Sequence, residues 1–95
     1  MASGMSIEVI EQVVNRVLNE SRNETNRQWR ETAPAYVARA VAQSELANLS
    51  RNLEPDILYI AAKVRGVSYP SFPKTNFKVE QLDQFAAQIK AKREQ

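Results

Sequence analysis

The stretch EPDILYIAAKVRG, residues 54–66, decides the fold. Pro55 is suited to a first helical turn, where its missing N–H has no intrahelical partner to lose. Glu54 and Asp56 bring negative charge to the positive end of the same helix, and Gly66 stands where a helix closes in the left-handed conformation. Between these signals, Ile57, Leu58, Ile60, Ala61 and Val64 cover more than half of the helix circumference. A helix this apolar has to be surrounded, which makes it the expected centre of an all-α bundle.

Downstream, residues 67–76 carry no periodicity, and Pro70 and Pro73 forbid regular helix, so an ordered loop is expected, stiffened by Tyr69-Pro70 and Phe72-Pro73. Thr75 or Asn76 is placed to cap a last helix with Val79, Leu82, Phe85, Ala86 and Ile89 on one side and Lys90, Lys92 and Arg93 at its negative end. Upstream, Pro34 punctuates the chain. Tyr36, Val37, Ala40, Val41 and Ser44 then mark a second helix, extended through Leu46, Leu49 and Leu53 with a bend at 48–52. The first helix starts at a Ser6 cap and carries Ile7, Ile10, Val13, Val14, Val17 and Leu18 on one face. Residues 19–28 are all polar, yet nothing there breaks a helix, so the spacing predicts one continuous helix to about Glu31, roughly 39 Å long at 1.5 Å per residue.

The expectation is an all-α, single-domain bundle of about four helices, with a long N-terminal helix and an ordered proline-containing loop before the last one. Residues 6–95 form the domain and residues 1–5 a disordered leader. With 95 residues, 43% of them hydrophobic, the chain can bury one core but is too small for a deep enclosed site.

The absence of Cys and His removes thiolate nucleophiles, disulfides, imidazole bases and most zinc sites. The pairs Glu54/Asp56 and Glu80/Asp83 lie in first helical turns, where the dipole already accounts for them. The reading is therefore of a protein that is not an enzyme, with no cofactor, metal or small-molecule substrate. The longest apolar run, residues 57–62, falls far short of the roughly 20 residues that span a bilayer, and no export signal is recognisable. An intracellular, cytoplasmic protein is expected, and the sequons at Asn23 and Asn48 are read as accidents of composition.

Charge is unevenly distributed. There are six basic against eight acidic residues up to Ala61, and seven against three after it. Residues 63–78 hold Lys63, Arg65, Lys74 and Lys78 and no acid, interleaved with Tyr69, Phe72 and Phe77. Cations for phosphates with rings for bases suit single-stranded nucleic acid, and the same set suits an acidic peptide. Ile7, Ile10, Val14 and Val17, at alternating three- and four-residue spacing, form a candidate seam with a second copy, and Trp29 a candidate aromatic anchor. The leading reading is a regulatory or adaptor-type interaction module that forms a homodimer through its first helix and meets a protein partner. The alternative is a regulatory or architectural nucleic-acid-binding protein. A helix-turn-helix over residues 45–66 is set aside, because the tight-turn Gly is missing and the would-be reading helix spends Ile57, Leu58 and Ile60 on apolar positions.

Overall fold

Ile57, Leu58, Ile60, Ala61 and Ala62 are buried along α3 (Glu54–Arg65), which packs against each of the other three α-helices among the described residues. Gly66 closes α3 at φ 85°, and its N–H is bonded to the Ala62 carbonyl. The computed structural model describes residues 7–72 and 74–95. The expected Ser6 cap, the leader 1–5 and Pro73 lie outside the described residues.

Around α3 stand α1 (Ile7–Glu20), α2 (Asn26–Ala42) and α4 (Val79–Arg93), with a 3₁₀ turn at Glu45–Asn48. No strand occurs among the described residues. The core collects Val14 and Val17 from α1, Trp29 and Ala33 from α2, Ile60 and Ala61 from α3, and Leu82 from α4, all without exposed surface.

The single long N-terminal helix is corrected. α1 stops at Glu20 because Ser21 Oγ turns back onto the Val17 carbonyl at 2.6 Å, and a new helix is capped four residues later. Thr25 Oγ1 accepts the Gln28 N–H at 3.2 Å, while Gln28 Oε1 accepts the Thr25 N–H at 3.0 Å. This reciprocal capping box makes residues 21–25 a corner that folds α2 back along α1.

Pro34 accordingly lies inside α2 rather than at its start. A proline there gives the Arg30 carbonyl no N–H from one turn ahead. The Tyr69 hydroxyl donates to that carbonyl at 3.3 Å, so a residue from the α3–α4 loop repairs the defect. α2 also ends earlier than expected, at Ala42. Ser44 then caps the 3₁₀ turn by accepting the Leu46 N–H at 3.1 Å, and Leu46 is buried from that turn and Leu53 from the start of α3.

At α4 the N-cap is Lys78, with no side-chain cap, in place of the expected Thr75 or Asn76. The reason lies on α3. Asp56 Oδ1 takes the Asn76 and Phe77 N–H groups at 2.9 and 3.1 Å, which fixes the approach to α4 from outside the helix.

Candidate functional site

The residues proposed for self-association are spent on the protein's own core. Ile10 is 2% exposed, Val14 and Val17 are fully buried, and Ile7 is half-buried against the same cluster. Side chains with no surface cannot form a seam with a second copy, so the stripe on α1 is corrected to a core face.

Trp29 is likewise fully enclosed. Its indole N–H donates to Ser21 Oγ at 2.7 Å, its ring meets Tyr69 edge-on at 6.1 Å, and the Arg65 guanidinium lies 5.4 Å from its centroid. It anchors the α1–α2 corner and offers no face to a partner.

Arg65 belongs to that corner too. It donates from Nη1 to the Ser21 carbonyl at 3.0 Å, from Nη2 to the Glu24 carbonyl, and from Nε to Asn26 Oδ1 at 3.2 Å. Carbonyls just past a helix C-terminus take donors from outside the helix, and one guanidinium reaches two of them, the Ser21 carbonyl as a second donor beside the Glu24 N–H at 3.1 Å. Its assignment to phosphate or partner binding is therefore corrected to a clasp. Beside it, Glu24 accepts from the Thr32 and Tyr36 hydroxyls. These bonds hold its carboxyl below the ordinary range, and the same Glu24 contact pushes the Tyr36 hydroxyl up.

The loop aromatics form a ladder across the surface. Phe72 lies between Tyr59, at 5.0 Å, and Tyr69, at 4.7 Å. Tyr59 donates to Asp83 at 2.9 Å, and its hydroxyl is pushed up by burial and by that carboxylate. Tyr69 is shifted the same way by burial. Arg30 ties the loop to α2 through the Ser68 carbonyl at 3.1 Å. The rings of Tyr69 and Phe72 thus pack against neighbouring rings within the fold in tilted and edge-on contacts.

Of the four cations read from the segment, Lys63 is 3.8 Å from Asp83 with its side chain more than half exposed. Lys74 and Lys78 are exposed, and their side-chain ammonium groups have no hydrogen-bond or ion-pair partner among the described residues. The backbone between them is held firmly. Asp56, 2% exposed, accepts the Asn76 side-chain amide on Oδ2 at 2.8 Å in addition to the two backbone N–H groups, and that amide also reaches the Asn52 carbonyl. A buried carboxylate with three donors is satisfied and acts as a clamp. Arg51 lies 5.6 Å from the centroid of Phe77 on the same edge.

Sequence reasoning passed over the roles of Asp56 and Arg51, and its placing of Val79 on the apolar side of the last helix is corrected, because Val79 starts α4 outside the face buried by Leu82, Ala86 and Ile89. Asp56 read as one more acidic first-turn residue, and nothing in the chain's pattern signals that it reaches a loop twenty positions away. Val79, 49% exposed, is the only exposed large hydrophobic residue among those described.

Among the described residues, no three Asp or Glu side chains gather as metal ligands, and no helix is long and apolar enough to cross a membrane. The concavities are shallow grooves. One of them, about 300 Å³, lies between Pro34 and Val37 of α2 and Pro55 and Leu58 of α3. Compared with protein-family models, with curated proteins and with solved structures, the chain matches none.

Proposed function

We propose that the protein is a non-enzymatic interaction module that docks an acidic segment of a protein partner on the edge carrying Lys74, Lys78 and Arg51. The observation that supports this reading is the contrast between a clamped backbone and unengaged charges. Asp56 fixes residues 76–77 from beneath, while the ammonium groups of the lysines on either side remain without partners. A preorganised edge loses little conformational entropy on binding, and cations without internal partners are available to steer and orient an anionic ligand. The state of the rings favours a protein over single-stranded nucleic acid. Stacking needs open faces, and Phe72 has Tyr59 and Tyr69 against it.

The test is a titration of fluorescently labelled polyglutamate and of single-stranded DNA of equal charge, at low and at physiological salt. Polyglutamate is expected to bind more tightly, with affinity falling as salt rises. Lys74→Glu with Lys78→Glu is expected to abolish binding while changing unfolding free energy by less than about 0.5 kcal/mol, as surface substitutions do. Tighter DNA binding that persists at physiological salt would return the protein to the nucleic-acid reading.

A further inference from the structure

Three arginines of the described residues lie over aromatic rings, and they differ in what the edges of their guanidinium groups do. Arg65, 5.4 Å from the Trp29 centroid, has spent donors on the Ser21 and Glu24 carbonyls and on Asn26. Arg39, 5.2 Å from the Tyr36 centroid, is paired with Glu20 at 3.7 Å. Arg51, 5.6 Å from the Phe77 centroid, is exposed, and its guanidinium has no hydrogen-bond or ion-pair partner among the described residues. Glu54 lines a concavity with Arg51 but makes no ion pair with it, and its charge stands in the first turn of α3, where it complements the helix dipole.

The ring under Arg51 is held in place. The Phe77 N–H is bonded to Asp56 at 3.1 Å, the Phe77 carbonyl accepts from the Thr75 hydroxyl at 3.0 Å, and the ring meets Phe85 edge-on at 6.5 Å. The backbone beside Arg51 is tied to the same place, because the Asn76 side chain reaches the Asn52 carbonyl. A guanidinium attracted to a fixed ring gives up part of its rotational freedom before any ligand arrives, so less is lost when its donors are used. Its five N–H groups form a planar fork that matches both oxygens of one carboxylate. A lysine ammonium brings charge without that fork.

We propose that Arg51 is the specificity-determining residue of the edge: its fork takes one Asp or Glu carboxylate of the acidic segment through two parallel N–H···O bonds, while Lys74 and Lys78 attract the segment without fixing its orientation. This deepens the proposed function and rests on it. The edge then selects for the way a carboxylate is presented as well as for net charge.

Charge-conserving substitutions separate direction from charge. In the polyglutamate titration at low salt, Arg51→Lys is expected to lower affinity about tenfold, the scale of one charge-assisted hydrogen bond, whereas Lys74→Arg with Lys78→Arg changes it by less than about twofold. The dependence on salt should be the same in these variants and in the wild-type chain, since the number of cations is unchanged. In the wild-type chain, polyglutamate should also shift the Arg51 Nε–H resonance and slow its exchange with water. Wild-type affinity in Arg51→Lys, or an Arg51 resonance that polyglutamate leaves unmoved, overturns the inference; the docking edge itself stands if Lys74→Glu with Lys78→Glu still abolishes binding. A wild-type chain that fails to bind polyglutamate overturns the proposed function and the inference together.

Discussion

Two corners of the bundle solve the same problem with opposite charges. Where α1 turns into α2, the Arg65 guanidinium covers the Ser21 and Glu24 carbonyls; where the α3–α4 loop approaches α4, the Asp56 carboxylate covers the Asn76 and Phe77 N–H groups. Each charged side chain comes from α3, the central helix, and each meets backbone groups exposed by chain reversal. What differs is the remaining charge nearby. At the first corner the prominent cation of the segment is consumed, over a fully buried Trp29; at the second the consumed charge is an anion, and Lys74 and Lys78 stay free. A basic residue in the sequence is thus evidence of function only once the backbone has taken its share.

The comparison can be broken most forcefully at the first corner. Trp29→Ala removes the largest buried side chain and should cost about 3–5 kcal/mol of unfolding free energy in a denaturant titration, the range for aromatic truncation in a core. A loss under 1 kcal/mol would mean that the corner is not held by that ring. At the second corner, Asp56→Ala strands two backbone donors and should cost about 2–3 kcal/mol, with faster amide exchange at Asn76 and Phe77. If those two amides stay protected in the variant, the clamp is elsewhere.

A smaller effect tests the repair of α2. Tyr69→Phe should cost about 0.5–1.5 kcal/mol, because the Arg30 carbonyl loses its donor. In the Pro34→Ala background, where α2 regains its own N–H at that carbonyl, the same substitution should cost less. Equal costs in both backgrounds would separate Tyr69 from Pro34.

The smallest effect is the pH response of the first corner. Glu24 is held below its ordinary 4.5 by the Thr32 and Tyr36 hydroxyls, so its contribution is present above that value and is lost as the pH falls through the lowered range. Tyr36 and Tyr69 are raised above 10.0, so theirs is present below that value and is lost as the pH climbs past it. Unfolding free energy measured against pH should fall at both ends, and Tyr36→Phe should make both falls shallower. An unchanged profile would detach Tyr36 from the network.

The regions legible in advance were those whose signals are local. Pro55, the apolar wrap of residues 57–64 and Gly66 announce α3 with both ends, and Leu82, Ala86 and Ile89 announce the buried face of α4. The capping pair Thr25 and Gln28 was equally local, and it could have revealed the break between α1 and α2 had the polar run not been read for propensity alone. Other features had no local signal. A valine stripe on α1 has the same spacing whether it faces a second copy or the molecule's own core, and what settles it is that α2 returns along α1.

By itself, the sequence determined an all-α chain built around one apolar helix, because period, caps and breakers act over a few residues. Only the tertiary structure decided which polar groups remain free. Whether Arg65 faces solvent or carbonyls, whether Pro34 ends a helix or sits inside one, and whether Asp56 is an exposed first-turn acid or a buried clamp all depend on backbone groups far away in the chain, brought within hydrogen-bond reach by the packing of α3 among its neighbours.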